Sequence, residues 1–192
     1  MVNRNAVRSL RRQAGATAIE ILVTLVVVSL GLLGIAGLQM RLQNSEVESY
    51  QRSQALLLLT DMAARINANR NNAASYAMGV SNPVGAGMTC PTDVTTTRNR
   101  DVAEWCNAIQ GASELVTGTT TKTGALIGGR GCIEAVDGEY LITVVWQGLT
   151  PVSAPPVSVG CAANAFDGAG TPCVNDLCRR WMTTVVRVAD LS

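Results

Sequence analysis

Apolar residues run almost unbroken from Ala16 to Met40, and a single charge, Glu20, interrupts them. Ile21 to Leu38 alone gives eighteen positions without an ionisable group. That meets the length of a transmembrane helix, which needs about 20 residues to cross about 30 Å of hydrocarbon. A secretory signal has a shorter apolar core, roughly 7–15 residues, and a small-x-small cleavage site after it. Here the run is longer and passes into Gln39, Arg41 and Gln43 on a continuing helical pattern. The pattern then becomes amphipathic: Leu56, Leu59, Ala63 and Ile66 fall at three-and-four spacing, and Glu46, Glu48, Arg52, Asp61 and Arg65 supply a polar face. No proline occurs from Gln39 to Tyr76. The prediction is one helix of roughly 60 residues, about 90 Å long, ending in the Asn-rich stretch 67–76.

Beyond it the punctuation changes. Residues 77–100 carry Gly79, Pro83, Gly85, Gly87 and Pro91 and read as loop. Asp101 with Glu104 three positions on reads as the N-terminal pair of a short helix through Gln110, with Trp105 and Ile109 as its buried positions. CIEAV and EYLITVVW, joined by Asp137-Gly138, are a hairpin, because an Asp-Gly pair between β-prone runs suits a two-residue turn. Along the second run both alternating sets, Tyr140, Ile142, Val144 and Trp146 against Leu141, Thr143 and Val145, are largely apolar. One sheet face should therefore pack on the long helix and the other be partly covered. RRWMTTVVRV, 179–188, is a third strand. The fold class is α+β: a long N-terminal helix packed on an antiparallel sheet of three or more strands.

Charge orients the span. Arg4, Arg8, Arg11 and Arg12 precede it with no acid among them, and only Arg41 follows closely, which places the N-terminus in the cytoplasm. An ionisable group inside a span costs about 2.5–3.5 kcal/mol at the helix centre, so Glu20 is a functional candidate. A carboxylate near a span end can also simply reach the interface. If the chain is cut after Gly15, however, Ala16 becomes a free amine one turn from Glu20, and Glu20 can pair with the amine of a neighbouring copy. Loss of the four leader arginines takes the net charge from +1 to −3, so a broad nucleic-acid surface is not expected. The Arg179-Arg180 pair is expected to be solvated or to cap an element.

QAG-ATAIE-ILVTLVVVSLGLLGIAGLQ resembles the class III signal and N-terminal helix of type IV pilins and type II secretion pseudopilins. The resemblance implies cleavage after Gly15 by a prepilin peptidase, N-methylation of Ala16, and Glu20 as the assembly carboxylate. Major pilins usually begin with Phe or Met and commonly carry a mid-span proline; here stand Ala16, Gly34 and Gly37. DVAEWCNAI, GEYLITVVW and RRWMTTVVRV extend the resemblance to the minor pilins called type IV pilus modification proteins. On that basis residues 1–15 are leader, 16–40 the membrane half of the helix, 41–76 its amphipathic half, and 77–192 the exported domain. The implied partners are other minor pilins, the major pilin, the prepilin peptidase, the inner-membrane assembly platform and inner-membrane lipid. The protein is expected in the inner membrane before assembly and on the pilus surface after it. A secretion pseudopilin, or an uncleaved single-pass anchor carrying a periplasmic binding module, is the alternative.

Six cysteines, Cys90, Cys106, Cys132, Cys161, Cys173 and Cys178, all lie in the predicted exported part, which points to three disulfides in an oxidising compartment. The sequence does not choose the connectivity, but Cys90 with Cys106 would tie the 77–100 loop to the short helix. With no histidine and no CxxC, neither zinc nor Ser-His-Asp, Cys-His or HExxH chemistry is expected. Gly128-Gly129-Arg130-Gly131 lacks the phosphate-loop pattern and reads as a turn before a strand. No enzyme, cofactor or metal is predicted.

Overall fold

The computed structural model describes residues 17–111, 117, 122 and 126–188. The chain divides into two compact units, Met1–Gln43 and Asn44–Ser192. Helix α1, Ala18–Ala68, contributes its first part to one and its second part to the other.

In the second unit α1 ends at Ala68, early in the Asn-rich stretch 67–76 that the sequence marked as its end. Asn69 leaves helical geometry (φ −109°, ψ 38°), and a 3₁₀ segment follows over Arg70–Tyr76. Asparagine is a poor interior helix residue because its side chain competes for nearby backbone groups, and four occur between 67 and 72. The buried stripe of α1 is Gln51, Ala55, Leu59, Met62 and Ile66. It differs from the predicted stripe. Leu56 is exposed and Ala63 only partly buried, because the row that meets the sheet is shifted by about one position.

Strand β1, Val84–Gly85, lies within the segment predicted as loop. Helix α2, Thr97–Ile109, starts a turn earlier than expected: the Thr96 side chain accepts from the Asn99 N–H at 3.1 Å. Asp101 is therefore inside the helix rather than at its cap. Trp105 and Ile109 are buried as predicted.

Strands β2 (Arg130–Val136), β3 (Glu139–Gln147) and β4 (Arg179–Val186) complete an antiparallel sheet of order β1-β2-β3-β4. Asp137 (φ 50°) and Gly138 (φ 82°) turn the β2–β3 hairpin, with Val136 opposite Glu139. Two left-handed residues are what the tight turn requires, and glycine takes the second without a Cβ penalty. Ile133, Ile142, Val144 and Trp146 face Leu59, Met62 and Ile66 of α1 and Trp105 and Ile109 of α2. The opposite face is covered near Val145 and Cys132 by Cys161, Ala162 and Phe166 from the long β3–β4 connection. The predicted sheet, packed on the long helix on one face and partly covered on the other, is thus observed.

Gly131 marks the tightest approach of α2 to the sheet. A Cβ there would run into the Trp105 ring and stand 2.8 Å from Ile109 Cδ1. Gly131→Ala is expected to cost about 1–3 kcal/mol, the usual range for overpacking. Thermal unfolding of the full chain in detergent checks this, and an unchanged midpoint would mean that α2 can slide on the sheet.

Candidate functional site

Over its described residues the first unit is a helix with apolar residues on every side and none of them covered: Leu25, Leu33 and Ile35 are exposed along with their neighbours. A helix that is apolar all round belongs in a protein core or in lipid. This one is long and apolar enough to cross a membrane. Its hydroxyls are already satisfied within the helix. Thr24 Oγ1 donates to the Ile21 carbonyl at 2.8 Å and Ser29 Oγ to the Leu25 carbonyl at 2.7 Å. Such back-bonding lets polar residues sit in hydrocarbon cheaply.

Glu20 lies in the first turn of α1 and is exposed. Its N–H donates to the Thr17 carbonyl at 3.0 Å. Its carboxylate has no hydrogen bond or ion pair among the described residues. A negative group here meets the favourable end of the helix dipole. Gly15 and Ala16, the predicted cleavage and methylation positions, lie outside the described residues. Gly34 and Gly37, with Leu33, Leu38 and Arg41, line a shallow groove of about 280 Å³ along the span.

Three disulfides brace the second unit: Cys90–Cys106, Cys132–Cys161 and Cys173–Cys178. The first is the pairing anticipated from the loop-to-helix argument. Each such bridge typically contributes about 2–4 kcal/mol by restricting the unfolded chain. Cys132–Cys161 fastens the β3–β4 connection to the outer sheet face.

Two polar clusters were invisible to periodicity. In the first, Arg65 reaches three acids, Asp61 at 2.9 Å, Asp101 at 3.1 Å and Glu104 at 2.6 Å. Burial opposes its charge, yet Glu104, Asp61 and Asp101 together hold the guanidinium above its ordinary, already high pKa. Tyr76 is fully buried; its hydroxyl donates to Asp101 Oδ2 and accepts from Asn69 Nδ2 at 3.0 Å. Burial, then the Asp101 carboxylate, pushes the phenol above the usual tyrosine range. Asp101 and Glu104, predicted as a cap pair, thus bind the end of α1 to α2. Trp105 joins the same two helices, its Nε1 donating to the Leu58 carbonyl at 2.9 Å.

The second cluster overturns the solvated reading of Arg179 and Arg180, because both are buried. Arg179 donates to the Val159 and Cys161 carbonyls at 2.7 and 2.9 Å and pairs with Asp176 at 2.9 Å. Arg180 donates to the Thr150 carbonyl at 2.6 Å and pairs with Glu48 of α1 at 3.1 Å. Buried arginines are retained where such acceptors exist. The carbonyl acceptors lie 18, 20 and 30 residues back along the chain, in the β3–β4 connection, so local sequence gave no sign of them. Among the described residues no group of three His, Cys, Asp or Glu side chains could hold a metal ion.

A long N-terminal helix, the second part of it packed on a disulfide-braced four-stranded antiparallel sheet, is a pilin-like α+β fold. A family model described as Tt1218-like, type IV pilin Tt1218, matches residues 37–114, from the end of the apolar segment through α2. Over that stretch the chain is similar to a type IV pilin family, and the match supports a pilin role. No curated protein and no solved structure gives a significant match.

Proposed function

We propose that the chain is a minor pilin of a type IV pilus, most like the modification protein PilV, and that it helps to prime assembly as part of a tip complex. The observation that carries this reading is the uncovered apolar helix, with one carboxylate in its first turn, continuing into a half-buried helix of a disulfide-braced unit. The similarity of residues 37–114 to type IV pilins supports it independently. Cleavage after Gly15 releases the Ala16 amine, which is N-methylated, and Glu20 pairs with the amine of an adjacent subunit. Residues 16–40 hold the protein in the inner membrane, N-terminus inward, until it is extracted into the fibre. Other minor pilins, the major pilin and the assembly platform are its partners, and its role is structural rather than enzymatic.

Intact mass and N-terminal sequencing of the protein from its native membrane test the reading. A chain beginning at N-methylated Ala16 is expected. A chain that keeps Arg4 to Arg12 in cells with an active prepilin peptidase would mean a static anchor instead.

A further inference from the structure

Where α1 gives way to the 3₁₀ segment, Asn67, Asn69, Asn71 and Asn72 gather within a short length of chain. Facing them is the start of α2. Between the two lies an open cleft of about 610 Å³, walled by Asn69, Asn72 and Ser75 on one side and by Thr97, Arg98 and Asn99 on the other. A second cleft, of about 310 Å³ and lined wholly by residues 67–72, adjoins it and shares Asn69 and Asn72.

The lining side chains are held in place yet not used up. Asn72 Nδ2 donates to Asn69 Oδ1 at 3.0 Å, and Asn69 Nδ2 donates to the Tyr76 hydroxyl at 3.0 Å. Arg98 Nε donates to the Ser75 carbonyl at 3.0 Å and its Nη1 to Asn99 Oδ1 at 3.1 Å. Asn99 Nδ2 in turn donates to Asp93 Oδ2 at 2.6 Å. Every carboxamide has two donors and a two-lone-pair acceptor, and a guanidinium has five donors, so each group keeps capacity after these bonds. Arg98 Nη2, Asn72 Oδ1 and the Thr97 hydroxyl have no partner among the described residues.

We propose that this double cleft binds acidic polysaccharide, a run of hydroxylated sugar rings that carry carboxylates. Fixed carboxamides that both donate and accept match vicinal hydroxyls, which do the same. Arg98 supplies the charge-assisted donors that a sugar carboxylate accepts. Because the side chains are already locked, little rotamer freedom is lost on binding. Nucleic acid fits less well. No aromatic side chain lines either cleft for base stacking. The inference goes beyond the assembly role and does not depend on it.

The test uses the full chain in detergent micelles, with oligogalacturonate as the acidic probe, galacto-oligosaccharide as the neutral one and a short DNA duplex as the polyanion control. Saturable binding of oligogalacturonate is expected, weakened about tenfold by Arg98→Gln, the loss of one charge-assisted contact. Asn71, in the second cleft, makes no side-chain hydrogen bond among the described residues, and Asn71→Ala is expected to weaken longer oligomers more than short ones. Thermal unfolding of each variant confirms that it is folded. No binding at millimolar probe, equal binding by folded variants, equal affinity for the neutral sugar, or a preference for DNA would each overturn the proposal.

Discussion

Glu20→Ala is expected to leave the protein in the membrane at normal abundance and to remove it from sheared fibres. Insertion should not suffer, because deleting a carboxylate from an apolar helix relieves a cost of up to about 2.5–3.5 kcal/mol, less near the span end. What is lost is the group that seeks a positive partner. The carboxylate is exposed in the first turn of α1 and unpaired among the described residues. In lipid, such a group gains most from the amine of a neighbouring subunit, since a charge pair is far stronger at low dielectric than in water. On the pilin reading proposed above, that pairing sets the axial register of helix against helix.

Glu20→Gln separates two versions of this idea. The amide keeps the length and the hydrogen-bonding oxygen but not the charge. Loss of the Gln variant from fibres would point to an ion pair, and normal incorporation to a hydrogen bond alone. Wild-type amounts of the Ala variant in sheared fibres would end the assembly role of Glu20 altogether. Quantifying both variants in the membrane fraction guards against a simple loss of protein.

Features written into local pattern were legible in the sequence, whereas features created by distant contacts were not. The β2–β3 hairpin was readable because Asp137-Gly138 encodes its turn chemically and period-two apolar runs flank it. The apolar helix and the Asn-rich end of α1 were readable for the same kind of reason. The start of α2 was misplaced because Asp101 and Glu104 imitate a capping pair, while the residue that caps, Thr96, sits in a threonine run with no distinguishing neighbour. Strand β1 is only two residues long and exists because β2 offers an edge to pair with. Arg179 and Arg180 read as surface charges, because nothing near them indicates that a disulfide-tied connection will return carbonyls over them. The same limit applies to the polysaccharide cleft. Its asparagines were legible as a helix end, but Arg98 and Thr97 meet them only through the packing of α2.

Asp101→Ala is expected to cost the second unit about 3 kcal/mol. Asp101 has only 9% of its surface exposed, and its two oxygens serve different partners, Arg65 and the fully buried Tyr76 hydroxyl. Removing it leaves the proton of that hydroxyl without an acceptor, a penalty of about 1–3 kcal/mol, and deletes a hydrogen bond to a charged acceptor worth about 1.5–3 kcal/mol. Arg65 adds little to the loss, because it is partly solvated and keeps Asp61 and Glu104. A midpoint lowered by roughly 6–12 °C follows for a domain of this size. Asp101→Asn keeps an acceptor for Tyr76 and should lose markedly less. The pH dependence gives a second readout. A phenol whose folded pKa is raised contributes stability that is fully present below about pH 10, the unfolded value, and is lost as pH rises through the folded one. Ionising Tyr76 would also set a phenolate against the Asp101 carboxylate. The wild-type midpoint should therefore fall above pH 10, and Tyr76→Phe should be less stable at neutral pH but show a shallower alkaline decline. Parallel curves for the two proteins would mean that the Tyr76–Asp101 contact does not hold α2 to the end of α1.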